Sequence, residues 1–392
     1  MTQITVVGGG LAGLTAAIGC AENDRQVRLL EAHECLGGRA RSTDGPYKAN
    51  LGPHVIYKDG PLWRWLEERD LMPPYAGPSL GGLRFRWKGV SRRTPPLGAI
   101  PSVLRLRGRK APVDQDFRSW AASLTNDRTA AMLSAAAGVY TFHHDPGELS
   151  AAFVWGRMVR VLLSPPPTAR YVIGGWNALV AALEARARQL GVEIETGHRV
   201  EHLPNPPAIV ATELDQARAL LGDPALDWPS GHAVCLDLGL VQHRGDPFVV
   251  SDLDEAGWIE RFSAPDPSLA PRGESLVQAQ IPVRPGDSTE EAGLRLERLL
   301  DTALPGWQER KTWRRRQAMK GMTGALDLPG NTWHDRPAID RGEGVFLVGD
   351  AVAAPGLLSE VSLTSAVEAT RLAVAVANPR WKASDAVQLP SS

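Results

Sequence analysis

Apolar and polar positions follow a regular pattern at the start of the chain. Ile4–Val7 is a short apolar run rich in β-branched residues, which predicts a buried strand. Leu11–Glu22 has alanine and aliphatic residues at helical spacing, and Val27–Leu30 is a second apolar run. The pattern therefore predicts a strand, a helix and a second buried strand.

The same alternation returns after residue 171 and again near the end of the sequence. In the middle of the chain it predicts a helix and three strands, at Ala178–Leu190, Gly191–Glu195, Arg199–Glu201 and Pro206–Thr212. Later it predicts a buried strand at Gly344–Asp350 and a long amphipathic helix at Ser359–Ala377. Strands that alternate with helices in this way are typical of an α/β fold.

Two long blocks between these segments lack that alternation. The first block, Gly60 to Thr168, predicts short elements at Pro61–Asp70, Leu83–Trp87, Ser102–Lys110 and Phe117–Phe142, of which Leu83–Trp87 is a strand and the others are helical. The second block, Trp228 to Trp313, predicts three strands and one helix, at His232–Leu240, Trp258–Phe262, Ser275–Ile281 and Thr289–Leu300. Irregular blocks of this kind indicate an inserted substrate domain.

The composition of the chain argues against several classes of function. The chain has 392 residues, of which 43% are apolar and 22% are charged, and its formal net charge is −1. The length predicts two or three domains of roughly 150 residues each, and the near-neutral charge gives no support for nucleic-acid binding. The longest weakly polar stretch, residues 129–142, is too short to span a bilayer, and the first strand follows the start directly. We therefore expect a cytoplasmic protein without a transmembrane segment.

Residues that could hold a metal are scattered. Cys20, Cys35 and Cys235 lack paired spacing, so we expect no disulfide framework and no zinc site. His143 and His144 are adjacent, and no third ligand is spaced to join them, so we expect no metal. Ser102–Lys110 mixes aliphatic and basic residues, which favours a solvated helix face and leaves contact with a membrane surface or an anionic substrate as alternatives.

The turn between the first strand and the first helix carries the first candidate chemistry. It has the sequence G-x-G-x-x-G, and the site residues that we assign to it are Gly8, Gly10, Leu11, Ala12 and Gly13. The first glycine permits the tight turn, the second lets the backbone approach a pyrophosphate, and the third lets the helix lie close to the sheet. The helix N-terminus then offers free N–H groups to the phosphates.

An acid completes this nucleotide motif. Glu31, followed by Ala32, stands at the end of the second strand, roughly 20 residues after the glycines, where an acid accepts hydrogen bonds from the adenosine ribose. A carboxylate at this place also repels a ribose 2′-phosphate, which argues against NADP. These residues predict a dinucleotide site, and its ligand is the open question.

Gly37, Gly38 and Arg39 address that question. The sequence GGRAR resembles the second glycine doublet of the flavoprotein superfamily of amine oxidases, phytoene desaturases and protoporphyrinogen oxidase. The resemblance implies FAD as cofactor. It also implies a Rossmann-type, glutathione-reductase-like FAD-binding domain with an inserted α+β substrate domain of mixed sheet and helices. Physically, the glycines permit close backbone approach, and Arg39 can set a cation beside phosphate or flavin oxygens.

The resemblance also divides the chain into domains. It implies a discontinuous FAD-binding domain formed by residues 1–60, 169–227 and 319–385. The substrate domain then consists of residues 61–168 and 228–318, and residues 386–392 form a tail.

Further site residues follow from the same resemblance. A turn with Gly52, Pro53 and His54 would border the flavin ring, and Val200 matches a valine whose backbone contacts the adenine. His54 is the one titratable residue in that turn, so it is our candidate for moving a proton near neutral pH. A hydrogen-bonded structural histidine is the alternative.

The segment around Asp350 closely resembles the closing motif of the superfamily. The strand ends in Gly349-Asp350, and the resemblance implies that this aspartate bonds the ribityl and pyrophosphate part of FAD. The backbone of Gly356, Leu357, Leu358 and Ser359 would point at the flavin pyrimidine ring. A helix N-terminus at that place stabilises the negative charge of a reduced flavin.

The resemblance leaves three functions open. We predict oxidation of a C–N or C–C bond in a hydrophobic small molecule, with hydride transfer to flavin N5 and reoxidation by O2 or another acceptor. A non-redox isomerase or cyclase that uses reduced FAD is the first alternative. A non-catalytic binding protein on the same scaffold is the second, and the intact glycines, Glu31 and Asp350 argue against it. No second G-x-G-x-x-G lies between a strand and a helix, so we expect no bound NAD(P)H.

Overall fold

A computed structural model describes residues 2–52, 54–79, 81–164 and 166–377. Pro53, which we placed beside the flavin ring, therefore lies outside the described residues, as do the predicted tail and residues 378–385.

Fifteen strands are present in the described part of the chain. In chain order they are β1 (Ile4–Val7), β2 (Val27–Leu30), β3 (Ile56–Tyr57), β4 (Tyr75–Ala76), β5 (Leu83–Trp87), β6 (Val90–Arg92), β7 (Ala169–Val172), β8 (Glu193–Glu195), β9 (Ala208–Val210), β10 (Ser230–Val241), β11 (Val249–Asp252), β12 (Trp258–Glu260), β13 (Glu274–Pro282), β14 (Lys311–Ala325) and β15 (Val345–Leu347).

The described α-helices number twelve. They are α1 (Leu11–Glu22), α2 (Pro61–Glu67), α3 (Ala99–Leu106), α4 (Phe117–Leu124), α5 (Asp127–Ala136), α6 (Gly138–Thr141), α7 (Ala151–Leu162), α8 (Trp176–Gln189), α9 (Leu214–Leu221), α10 (Thr289–Ala303), α11 (Trp307–Arg310) and α12 (Ser359–Ala377).

The nucleotide motif lies on a five-stranded parallel sheet. Its strand order is β15-β9-β1-β2-β8, and every adjacent pair in it is parallel. Ile4, Leu29 and Ile209 are fully buried, which explains the continuous apolar character of these short strands. Helices α1 and α12 pack together over the sheet, where Gly19 leaves room for Thr370. The predicted α/β Rossmann-type fold is confirmed.

One predicted strand of this region is wrong. Arg199–Glu201 forms no strand, although its short run resembles one. The edge strand β8 ends at Glu195, and β9 begins at Ala208 on the far side of β1. The chain must therefore cross from the β8 edge to the other side of β1, and residues 196–207 form that connection.

The two inserted blocks together form a seven-stranded mixed sheet. Its order is β14-β10-β13-β12-β11-β5-β6, and its one parallel pair joins β5 from the first block to β11 from the second. Helix α10 covers this sheet with Leu296, Leu299 and Leu300, all of which are buried. Strand β14 runs without a break across residue 318, where we predicted a domain boundary. The domain bounds stay a prediction.

The first block adds a helical cluster, and a small sheet, β3-β7-β4, lies beside it. Helices α4 and α7 pack through Phe117, Trp120 and Trp155. The predicted basic helix at Ser102–Lys110 is shifted to α3, because Gly98 and Gly108 adopt positive φ on either side of it. No helix of the described residues is long and apolar enough to cross a membrane.

Candidate functional site

A cavity of about 790 Å³ runs from the carboxyl edge of the parallel sheet to the mixed sheet. Most of the predicted site residues line it: Gly8, Gly10, Leu11, Ala12, Glu31, Ala32, Gly37, Gly38, Arg39, Gly52, His54, Val200, Gly349, Asp350, Leu358 and Ser359. Among the described residues that we assigned to the site, Gly13, Gly356 and Leu357 do not line this cavity. Segments that are far apart in the sequence thus meet in one space, as expected where parallel strands end.

The glycine motif at the end of β1 has the geometry that a phosphate loop requires. Gly8 has φ +105°, and a Cβ atom there would lie 2.5 Å from the carbonyl oxygen of Ala211. A Cβ on Gly13 would lie 1.8 Å from the Gly8 carbonyl oxygen, so Gly13 serves the packing of α1 on β1. A Cβ on Gly10 would meet nothing within 4 Å, so Gly10 faces open cavity. This cradle therefore fits a ligand that approaches the backbone closely.

The second glycine doublet is joined to the first motif. The backbone N–H of Gly37 donates to the carbonyl oxygen of Gly9 at 2.8 Å, and Gly10 and Gly37 form a parallel bridge. Gly37 has φ +108°, and a Cβ there would lie within 2.9 Å of the Val180 side chain. The doublet therefore extends the wall of the phosphate loop and holds the following turn against α8.

Glu31 is fixed at the end of β2 by backbone donors. Its carboxylate accepts the N–H of Gly9 at 2.7 Å and the N–H of His33 at 2.9 Å, and it is buried. The His33 ring also bonds the same carboxylate at 2.7 Å. A carboxylate oxygen accepts more than one hydrogen bond, so these contacts orient the group and leave acceptor capacity toward the cavity.

Arg39 and Asp350 contact each other across the site. Arg39 Nη1 and Nη2 donate to Asp350 Oδ2 and Oδ1 at 2.6 and 2.9 Å, and Nη1 also donates to the Met322 carbonyl oxygen at 2.6 Å. Glu213, which follows β9, lies 3.3 Å from Arg39 Nε. We expected Arg39 to set a cation beside phosphate or flavin oxygens. Two carboxylates compensate its charge in this structure, and its place beside phosphate or flavin oxygens stays a prediction.

These charges shift one another's ionisation. Burial opposes the ionisation of Asp350, yet the Arg39 guanidinium holds the pKa of this carboxyl below its usual range. Burial raises the pKa of Glu213, and Arg39 offsets part of that rise. Arg39 therefore stabilises the ionised form of Asp350 more strongly than that of Glu213, in agreement with its two hydrogen bonds to Asp350.

His54 is bound to the backbone of the second doublet. Its Nε2–H donates to the carbonyl oxygen of Arg39 at 2.8 Å, because a carbonyl can only accept. Its ring also packs against Trp176, with centroids 4.7 Å apart. These contacts give His54 a positioning role on the cavity wall, and its catalytic role stays a prediction.

The start of α12 meets the cavity in only part of the predicted segment. Leu357 is buried, and its N–H donates to the carboxylate of Glu360 at 3.0 Å. Glu360 is also buried and pairs with Arg160, which bonds Asp59 as well. The Leu357 N–H is therefore used inside the protein, and Leu358 and Ser359 are the residues of this turn that reach the cavity.

The far part of the cavity is an aromatic chamber at the mixed sheet. Its wall includes Tyr57, Tyr140, Phe142, Tyr171, Trp258 and Met319. A chamber of this kind, apolar with few polar groups, is typical of a site for a hydrophobic small molecule.

Glu260 is a buried acid in that chamber. It is 5% exposed, and its carboxylate accepts hydrogen bonds from Trp258 Nε1 at 3.0 Å and from the Tyr171 hydroxyl. No lysine, arginine or histidine of the described residues forms an ion pair with it. Burial raises the pKa of Glu260, and the two donors offset part of the rise. Perturbed acids in clefts are candidates for functional groups.

Sequence reasoning missed Glu213 and Glu260. Glu213 follows the predicted strand at Pro206–Thr212, so its place at the carboxyl end of a parallel strand was a usable signal. Glu260 alternates with Ile259 and shares a strand face with Trp258, but this local pattern does not tell which face lines a cavity. Lys320 also lines the cavity, opposite His232 in the strand pair β10–β14. In the described chain, no group of three or more His, Cys, Asp or Glu residues could hold a metal.

Comparison with known proteins agrees with this geometry. Residues 6–69 match the family model of the NAD(P)-binding Rossmann-like domain. Hydroxyneurosporene desaturase from Rhodobacter capsulatus is 41% identical over 56 residues, which are 14% of this chain and 11% of that protein. The match thus spans only a small part of either chain.

Solved structures match nearly the whole chain. An oxidoreductase from Methanosarcina mazei has a TM-score of 0.76 at 16% identity, covering 94% of this chain and 99% of that one. Cyclohexylamine oxidase from Brevibacterium oxydans has a TM-score of 0.73 at 14% identity, covering 96% of this chain and 99% of that one. This chain therefore has a Rossmann-like nucleotide-binding segment and the overall fold of these oxidoreductases.

Proposed function

We propose that this chain, which has the fold of FAD-dependent oxidoreductases, binds FAD and oxidises a C–N or C–C bond of a hydrophobic small molecule. One observation carries the proposal: a single cavity joins the glycine loop and Glu31 at one end to an aromatic chamber at the other. A flavin dinucleotide is long enough to need such a cavity, and its reactive ring would then face the chamber.

The protein's own residues supply binding and orientation. The glycine loop from Gly8 to Gly13 would hold the pyrophosphate by backbone N–H groups, and Glu31 would accept the ribose hydroxyls. Leu358 and Ser359, at the start of α12, would lie beside the flavin pyrimidine ring, where a helix N-terminus stabilises negative charge. When bound, FAD supplies the acceptor for a hydride equivalent from the substrate.

The chamber would position the substrate. Its aromatic wall excludes water and favours an apolar molecule, and Glu260 is the acidic group on that wall. A buried carboxylate that is held by two hydrogen bonds, from Tyr171 and Trp258, can fix the orientation of a polar or cationic substrate group. Oxygen or another acceptor would reoxidise the flavin.

Absorption spectroscopy of the purified protein tests the proposal first. We expect a yellow protein whose flavin is released on denaturation, and a colourless protein that takes up no added FAD would refute it. Anaerobic addition of candidate amines and polyenes should then bleach the flavin with one class, and air should restore the colour. If the protein converts a substrate only after its flavin has been reduced chemically, and the substrate is not oxidised, the function is that of an isomerase or cyclase instead.

A further inference from the structure

Helix α3 exposes a stripe of aliphatic side chains. Leu97, just before the helix, has a relative exposure of 105%, and Ile100 and Leu104 are 64% and 59% exposed. Ile100 and Leu104 are four residues apart, so they lie on one side of the helix, and Leu97 lies in the turn that precedes it. The opposite side, with Ala99, Ser102 and Leu106, is buried in the helical cluster. The helix is thus apolar on both sides, and only one side is covered within the described protein.

The exposed stripe lies in a segment of strongly positive charge. Residues 71–113 contain no Asp or Glu, and their basic residues are Arg84, Arg86, Lys88, Arg92, Arg93, Arg105, Arg107, Arg109 and Lys110. The chain as a whole has a net charge of −1, so this charge is concentrated locally. Several of these residues are exposed and form no ion pair with any described residue: Arg92, Arg93, Arg105, Arg107, Arg109 and Lys110. Arg105 lies on α3, and Arg107, Arg109 and Lys110 follow its end, so uncompensated cations flank the uncovered aliphatic groups.

Helix α3 also packs against the wall of the chamber. Arg107, at its end, donates from Nη2 to the carbonyl oxygen of Leu163 at 3.0 Å. Val103 packs into the same cluster as Leu162, which lines the cavity. Helix α3 thus belongs to the same helical cluster as Leu162, which lines the cavity.

We propose that the face formed by Leu97, Ile100 and Leu104 with its flanking arginines and Lys110 docks on the surface of an anionic phospholipid bilayer. Aliphatic groups at the centre enter the interface, and cations around them meet lipid phosphates. A second copy of this chain is disfavoured as the occupant, because two like-charged faces repel. Nucleic acid is disfavoured because the centre of the face is aliphatic and offers nothing to phosphate.

The docking itself does not depend on FAD. A route for apolar substrate from the bilayer into the chamber is a consequence that rests on the proposed function. If the protein proves to bind no FAD, the docking proposal can still hold, and the reverse is also true. The two proposals therefore fail separately.

Vesicle flotation of the full-length protein tests the docking. We expect the protein to float with vesicles that contain phosphatidylglycerol and to float at least about tenfold less with phosphatidylcholine alone, because the cations need anionic lipid. Added salt should weaken the binding. No flotation with anionic vesicles, or equal flotation with both vesicle types, would overturn the proposal.

Variants locate the face. The triple variant Leu97→Ser/Ile100→Ser/Leu104→Ser should lose binding by about tenfold or more and keep its melting temperature, since all three side chains are exposed. The double variant Arg105→Gln/Arg109→Gln should lose most of the vesicle binding that added salt weakens. Leu294→Ser, at a residue of similar exposure (57%) on α10, is the matched control and should bind normally. A triple variant that binds like wild type would refute this face as the docking surface.

Discussion

Arg39 and Asp350, 311 positions apart in the chain, form a two-pronged ion pair on the wall of the cavity. The pair connects the turn after the second glycine doublet to the end of β15, and Glu213 adds a contact from the end of β9. Three segments at the carboxyl edge of the sheet are thus held by one guanidinium.

The first prediction concerns the energy of that pair. Arg39→Ala should destabilise the protein by about 1–3 kcal/mol, between the values for exposed and for buried pairs, because it leaves two carboxylates unpaired. Asp350→Asn should lower the free energy of unfolding by less, because Arg39 still contacts Glu213 and the Met322 carbonyl oxygen. Urea unfolding of both single variants and the double variant gives the coupling energy.

A control for this cycle is available on α12. Arg371 pairs with Glu368, and both side chains are more than one third exposed. Arg371→Ala should change stability by less than about 0.5 kcal/mol. Additive effects of Arg39→Ala and Asp350→Asn would show that the contact is energetically unimportant.

A second prediction separates ligand approach from folding in the glycine loop. Gly10→Ala should fold normally, because the added Cβ meets nothing within 4 Å. It should weaken FAD binding by about tenfold or more, because the Cβ would occupy the space for the pyrophosphate. Gly13→Ala should destabilise the fold itself, because its Cβ would lie 1.8 Å from a carbonyl oxygen. FAD titration and thermal melting measure the two effects.

Gly156→Ala, in α7, is the matched control for Gly10→Ala, because its Cβ also meets nothing within 4 Å. It should bind FAD as wild type does. Wild-type FAD affinity in Gly10→Ala would mean that the ligand does not approach the loop there.

A third prediction concerns the ribose acceptor. Glu31→Ala should weaken FAD retention by roughly tenfold, because it removes the acceptor for the ribose and the partner of the Gly9 N–H. Glu34→Ala, at an exposed acid in the same turn, should retain FAD. Equal retention by both variants would remove Glu31 from the site.

The raised pKa of Glu260 makes a fourth prediction, about pH. Burial raises the pKa of this carboxyl in the folded state, so its contribution to stability is fully present below the unfolded pKa and is lost as the pH rises through the folded pKa. Glu260→Gln stays uncharged. The melting temperature of the variant relative to wild type should therefore increase as the pH is raised from about 5 to about 8.

Glu291→Gln provides a contrast of opposite sign. Hydrogen bonds from Ser288 lower the pKa of Glu291, so its contribution is already complete above the unfolded pKa of about 4.3 and is lost only at lower pH. Its effect on the melting temperature should stay constant between about pH 5 and 8. A flat difference for Glu260→Gln as well would show that Glu260 ionises normally.

The fifth prediction addresses His54. Since its Nε2–H donates to the Arg39 carbonyl, His54→Ala should weaken FAD binding and shift the flavin spectrum, and His54→Gln should restore both in part. The pH dependence of flavin reduction should survive in His54→Gln. A lost pH dependence that glutamine does not restore would instead support proton transfer by the histidine.

Local sequence predicted the parallel sheet well because β1, β9 and β15 are short apolar runs whose side chains are mainly buried. The glycines after β1 indicated one wall of the cavity because their backbone demands are local, and the resemblance to the closing motif of the superfamily indicated the other wall at Gly349-Asp350. The contact of Arg39 with Glu213 was out of reach, since it depends on β9 lying between β1 and β15.

The errors have a common physical origin. Arg199–Glu201 has a strand-like pattern and no neighbouring strand to pair with, because the chain there crosses the sheet. Leu357 was assigned a backbone donor for the ligand, and the buried carboxylate of Glu360 uses that donor. In both cases the outcome depended on a contact that the pattern itself does not show: strand pairing for Arg199–Glu201, and an acid three residues further along the chain for Leu357.

The order of the parallel sheet also governs when the cavity can form during translation. Arg39 leaves the ribosome 311 residues before Asp350 does, and β9 remains an open edge until β15 has emerged to pair with it. All strands of the mixed sheet, from β5 at Leu83 to β14 at Ala325, are synthesised within that interval. A nascent chain can therefore complete this cavity only after residue 350 has been made. A nonsense or frameshift truncation before that point leaves the glycine loop without the cavity wall that contains Asp350.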